Sequence, residues 1–173
     1  MELKLNYDRE KERESHIKYL RNRCVMLTDY KSNEIRKKFI ECFVNTTSDY
    51  FKKNINQKIK EGKREFYEGF LWDNLIVYNR MEKTEDLSFL NNLENKEVYV
   101  MSDLHSLERL GNAEFLLPFF PVENIISAKL NNILLSLAAL SQDTYIFDNS
   151  FSWYLILTHE SDDLGPEIYF YRE

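Results

Sequence analysis

The residues best suited to chemistry are few and lie near two predicted strand ends. The chain has three histidines, His16, His105 and His159. His105 stands in Ser102-Asp103-Leu104-His105-Ser106, directly after a predicted strand, and His159 stands in Thr158-His159-Glu160, at the end of another. If both strands point the same way, their C-terminal ends bring Asp103, His105, His159 and Glu160 together, with Asp148 as a further acid from the neighbouring run. Such a set serves as metal ligands or as a general acid–base pair. No sequence motif reinforces it. His159-Glu160 has no second histidine four residues on, and there is no Gly-rich phosphate loop, Gly-x-Ser-x-Gly or Cys-x-x-Cys. The competing reading is structural: Asp103 caps a helix, and His159 fixes the exit of its strand. It is preferred, so no catalytic residue, metal site or cofactor is expected.

Trp72 and Trp153 are the other prominent side chains, since tryptophan is enriched where binding energy concentrates and also fills cores. Trp153 opens a run apolar on both faces and reads as core, whereas Trp72 fits a core or a partner contact equally. Asp162, Asp163 and Glu167 follow His159 closely and extend an acidic region. The charge is unevenly divided. Residues 1–68 carry 17 Lys and Arg against 12 Asp and Glu, whereas residues 69–173 carry 6 against 17, so balances of +5 and −11 make up the net −6. A Lys/Glu-rich helical half explains part of this as a solvated face. The functional reading is that the acidic half meets a basic protein, because complementary fields raise association rates and select partners. Direct binding to nucleic acid is not expected, since its phosphates repel such a surface.

The elements that must hold these residues are legible in outline. With 173 residues, 43% hydrophobic and 14% aromatic, one domain is expected over 1–173, with a helical half at 1–80 and a mixed half at 81–173. Ile17, Leu20, Cys24 and Leu27 recur at helical spacing, so a helix is expected from Arg9 to Thr28. Ser32 is the expected cap of a second stripe through Ile35, Phe39, Phe43, Tyr50, Phe51, Ile55 and Ile59, with a kink or break at 45–48. A short edge strand at 2–6 and short helices near 86–90 and 104–110 are also expected. Strands are expected at 97–101, 143–148, 153–158 and 167–172, each rich in aromatic or β-branched residues and bounded by turn formers. Ile126, Leu130, Ile133, Leu137 and Leu140 predict a buried helix over 122–140, serving as the crossover between strands. The fold class is α+β with a small mixed or antiparallel sheet. No run approaches the ~20 apolar residues that span a bilayer, and Cys24 and Cys42 read as reduced thiols, so a cytoplasmic protein is expected.

The C-terminal residues carry a resemblance. Asp148, Phe151, Trp153, then Thr158-His159-Glu160, Gly165-Pro166 and the aromatic end Tyr169-Phe170-Tyr171 resemble the C-terminal signature of a family of small bacterial domains. In that family a Trp-bearing strand leads to Thr-His-Glu, and a Gly-Pro-aromatic strand follows. Here Glu167-Ile168 intervenes before the aromatics. The family is similar in type to the immunity proteins that accompany bacterial polymorphic toxins. The resemblance implies a cytosolic inhibitor of that type. The acidic balance adds that its toxin or effector is basic, and the residues singled out above, Trp72, Asp103, His105, Asp148, His159, Glu160, Asp162, Asp163 and Glu167, are the expected contacts that occlude it. Two alternatives stay open: a small enzyme or ligand-binding domain using the His/carboxylate set, and a phage or mobile-element inhibitor of a host defence complex. The sequence leaves the oligomeric state open.

Overall fold

A computed structural model describes residues 9–55, 58–61, 63–67, 69–76, 79–80, 90, 93, 95–103, 124–140, 143–162 and 165–172. The chain runs through α1 (Arg9–Arg21), β1 (Cys24–Met26), α2 (Asp29–Phe43), α3 (Asp49–Asn54), the hairpin β2 (Lys58–Glu61) and β3 (Arg64–Tyr67), and a 3-10 turn at Leu71–Asn74. It continues through β4 (Asn79–Arg80), β5 (Glu97–Ser102), β6 (Ile126–Lys129), α4 (Leu130–Leu134), a second 3-10 turn at Leu137–Ala139, β7 (Thr144–Asp148), β8 (Trp153–Asp162) and β9 (Gly165–Arg172). Seven strands form one sheet in the order β1-β6-β5-β7-β8-β9-β4, every neighbouring pair antiparallel. The fold is therefore α+β.

Both faces of the sheet are covered, which explains why the central strands do not alternate in polarity. All five residues of β7 are buried. Successive side chains on a strand point to opposite faces. Tyr145, Phe147, Tyr154 and Ile156 join Ile35, Phe39, Ile40 and Phe43 of α2 and Phe51 of α3 in one core. Ile146, Trp153, Leu155, Val98 and Val100 join Ile17 and Leu20 of α1 and Leu130 and Ile133 of α4 in the other. Phe39 is the central ring of the first core. Its centroid lies 4.8 Å from Phe147, 5.4 Å from Tyr145 and 6.0 Å from Tyr154. Such tilted and edge-on pairs add about 0.5–1.5 kcal/mol each beyond area burial.

Local signals set the helix ends. Thr28 caps α2 by accepting a hydrogen bond from Lys31 N at 3.3 Å, and Ser48 caps α3 by accepting from Phe51 N at 3.0 Å. Ser32, the expected cap, instead lies inside α2, fully buried, and its hydroxyl accepts from Ile125 N at 3.2 Å. The break at 45–48 is real. Past it, Gly69 lets the chain run close beside α3, because a Cβ there would stand 2.6 Å from the Asn54 carbonyl oxygen. That approach delivers Leu71 and Trp72 to the sheet.

Three expectations are corrected. Where a helix is expected over 122–140, the described residues 126–139 hold a strand, a five-residue helix and a 3-10 turn in succession, and β6 pairs directly with β5 in the sheet. The first helix ends at Arg21, and Cys24–Met26 form the outermost strand beside β6. The helical stripe expected to run to Ile59 ends at α3, and Ile59 pairs with Phe66 in the β2–β3 hairpin. The short elements expected at 2–6 and 104–110, and the one expected at 86–90 apart from Leu90, lie outside the described residues. Among the described residues no helix is long and apolar enough to cross a membrane.

Candidate functional site

β5 and β8 both neighbour β7 and are antiparallel to it, so they point the same way and finish at one end of the sheet. Ser102, Thr144 and Leu157 stand in one row across that end, with Asp103 and Thr158 one residue further out. The expected convergence of the Asp103 and His159 strand ends is therefore real at the level of backbone. Asp148 does not share it. It ends β7 at the opposite edge, opposite Val98, where its Oδ1 accepts from Ser150 N at 3.0 Å and turns the chain toward β8. His105 lies outside the described residues.

The interior of this end is polar. Ser102, Asp103, Asp143, Thr144, Thr158 and Arg36 are all buried, as are Trp72 and Tyr145. Trp72 Nε1 donates to Asp143 Oδ1 at 3.0 Å, and Trp72 N donates to the Tyr145 hydroxyl at 3.0 Å. The Tyr145 hydroxyl donates in turn to Asp103 Oδ2, which also accepts from Leu71 N at 3.3 Å. The 3-10 turn at 71–74 is thus fastened to β5 and β7 by backbone and side chain together. Asp143 adopts φ 57°, a left-handed conformation that aspartate tolerates better than most residues, and its carbonyl accepts from Asp103 N at 3.4 Å.

Burial pushes the Asp103 carboxyl up to about 8; the Tyr145 hydroxyl works against that rise, the Asp143 charge adds to it, and Leu71 N–H and Arg36 pull it down. Burial likewise drives Tyr145 well above its ordinary range, with Asp103 adding to the effect. At neutral pH Asp103 is therefore mostly protonated. Both of its described hydrogen bonds fall on Oδ2, which leaves Oδ1 to carry the proton. This arrangement stores a neutral acid in the interior and is suited to holding geometry. Trp72, at 6% exposure, and Asp103, at 5%, present almost no surface to a partner, and Asp148, at 3%, is equally enclosed. Their expected role as contacts is replaced by a structural one. Among the described residues no group of three or more His, Cys, Asp and Glu is placed to hold a metal.

The remaining expected residues lie on a different feature of the same end. β7 pairs with β8 only as far as Leu157, and β4 meets β9 only at Tyr169 and Phe170. Beyond these points β8 and β9 continue together to Asp162↔Gly165, a two-stranded arm without a third strand among the described residues. About five residues of extended chain reach ~17 Å. The register also changes. Leu157 pairs with Ile168 and Ser161 pairs with Pro166, so Thr158, His159 and Glu160 together face Glu167 alone. That is a bulge, which bends a strand and re-aims its side chains. His159, Glu160 and Asp162 on β8 and Glu167 on β9 thus share one arm, and Asp163, outside the described residues, follows Asp162 at its tip in sequence. Thr158, at the base, is buried.

Asp143, Tyr145 and Arg36 were missed from sequence. The available signal was Arg36 four residues after Ser32 and three before Phe39, a cation inside an apolar helical stripe. A buried cation there requires polar groups facing it. No protein-family model matches the chain, and neither a curated protein nor a solved structure does.

Proposed function

We propose that this chain is a protein-binding inhibitor of the immunity type, cytoplasmic, which neutralises a basic toxin or effector by occluding its site. The observation that carries the reading is the β8–β9 arm. Four carboxylates, Glu160, Asp162, Asp163 and Glu167, lie within eight residues that contain no Lys or Arg. The arm continues past its sheet neighbours among the described residues, and a bulge lies at its base. An acidic ribbon fits a concave basic site, and its field accelerates encounter with a basic surface. The acidic balance of residues 69–173 works in the same direction.

The test is capture from native extract at low and high salt, followed by association kinetics with the captured protein. A single stoichiometric basic protein is expected, released at high salt. Charge reversal at Asp162 and Glu167 should slow association about tenfold while leaving dissociation nearly unchanged. A partner whose association ignores both salt and these substitutions would overturn the reading.

One observation favours the ligand-binding alternative: the bulge that carries His159 stands at the same sheet end as the buried Asp103–Asp143 pair. Titration of the histidines by NMR separates the two. A His159 pKa displaced from the ordinary value, and sensitive to Asp103→Asn, would support a site there.

A further inference from the structure

The opposite edge of the sheet is constructed for a different contact. β1 is the outermost strand, and β6 is its one neighbour among the described residues. Its register is Cys24↔Ala128, Val25↔Ser127 and Met26↔Ile126. The same ladder is extended by Leu27 N donating to Ile125 O at 2.9 Å. In an antiparallel ladder hydrogen-bonded and non-hydrogen-bonded pairs alternate. Since Leu27 bonds inward, Val25 also bonds inward, and Cys24 and Met26 turn their N–H and C=O groups away from β6. Apart from the contact of the Cys24 thiol with its own backbone N–H, no described hydrogen bond uses those groups. The side chains around them are apolar and exposed: Val25 at 63%, Met26 at 50% and Tyr30 at 80%. Among the described residues, half of the large hydrophobic side chains left exposed lie in these six positions, the others being Tyr50, Ile76 and Leu135.

We propose that β1 is a homodimer interface, pairing antiparallel with β1 of a second copy about a two-fold axis at Val25. The outward groups select this partner. Cys24 and Met26 are symmetric about Val25, so a two-fold axis there sets Cys24 of each copy against Met26 of the other. Every outward N–H and C=O of both strands is then satisfied, and the two sheets become one. Charge agrees with the same orientation. Arg21 and Arg23 precede the strand and Asp29 follows it, so antiparallel pairing sets the basic flank of one copy beside Asp29 of the other. Tyr30, a residue type enriched in interfaces, lies on that flank. A foreign strand would gain hydrogen bonds from two residues of β1 and no matching apolar set, whereas a second copy supplies Val25, Met26 and Tyr30 again. Three residues are also too few to template open-ended strand addition, and the isologous pair closes on itself.

Sedimentation velocity of the full chain from low to high micromolar concentration tests the proposal. A monomer–dimer equilibrium is expected, as for a small interface. Val25→Lys sets two like charges together at the axis and should weaken the dimer by about 100-fold or more. Met26→Pro removes one outward N–H and no bond to β6, so it should weaken the dimer at least about tenfold with an unchanged thermal midpoint. In a Cys24→Ala, Cys42→Ser background, Val25→Cys should form an intermolecular disulfide on oxidation, since opposed non-hydrogen-bonded residues have Cα atoms about 4.5 Å apart. A wild-type chain that stays monomeric throughout, or a dimer that Val25→Lys leaves intact, would overturn the proposal. Neither result bears on the acidic arm, which lies at the other side of the sheet and is tested by salt and by substitutions in β8 and β9.

Discussion

At the end of the sheet where β5 and β8 finish, two sets of carboxylates differ in how the sheet holds their backbones. Asp103 and Asp143 lie beneath Trp72 and Tyr145, each accepting a hydrogen bond from one of those two side chains. Glu160, Asp162 and Glu167 lie a few residues away on the β8–β9 arm, beyond the last described pairing with β7. Within the interior set Asp103 gives up its charge to remain in the core, as its raised pKa records, and the hydrogen bonds of the set contribute shape and register. The arm set belongs to strands that have left their sheet neighbours among the described residues. Residue type alone does not tell the two sets apart. Their strand partners do.

The sharpest way to break that contrast is Trp72→Ala. It removes a buried ring and deprives Asp143 of its donor, so a loss of about 3–5 kcal/mol is expected in urea unfolding. A variant that unfolds at the wild-type midpoint would return Trp72 to the surface role read from sequence. Tyr145→Phe is smaller. It leaves Asp103 and the Trp72 N–H each short of a partner at a cost of about 1–3 kcal/mol, measured by the same midpoint shift.

The pH response separates the two sets more finely. Folded Asp103 releases its proton near 8, whereas an unfolded aspartate does so near ~3.9. Between those values the folded state holds the extra proton, so this residue's contribution to stability falls as pH rises from about 4 to about 8 and is level above that. The slope is at most about 1.4 kcal/mol per pH unit. Asp103→Asn should flatten the urea midpoint over that window. An unchanged slope would mean that Arg36 holds Asp103 ionised in the interior. The smallest effect on stability belongs to the arm: Asp162→Lys should shift it by no more than about 0.5 kcal/mol while slowing partner association, read by stopped flow.

Sequence reading succeeded where local preference and final environment agree. The runs at 97–101, 143–148, 153–158 and 167–172 are aromatic or β-branched, bounded by turn formers, and are strands. It failed where a stripe reports a face without reporting a conformation. Ile126, Leu130, Ile133 and Leu140 all bury into the same core, as helical spacing demands, with Leu137 packed against it. Yet the backbone beneath them changes from strand to helix to 3-10 turn, because β5 offers Ile126–Lys129 a ladder that outweighs local propensity. Cys24 continued the α1 stripe for the same reason. Of the candidate site, the meeting of two strand ends was legible from composition and direction. The Asp103–Tyr145–Trp72–Asp143 network was not, since its bonds join residues 42 to 73 positions apart, and no local pattern encodes which of them meet.

The strand order also has a consequence in time. α2 is made early, yet the rings that cover Phe39 and Phe43 belong to β7, β8 and β9, up to Tyr171. At roughly 5–20 residues per second a ribosome takes on the order of ten seconds to travel between them. Through that interval the nascent chain carries an uncovered aromatic helix and no sheet to receive it. The aromatic face of α2 is therefore covered only after the last strands emerge.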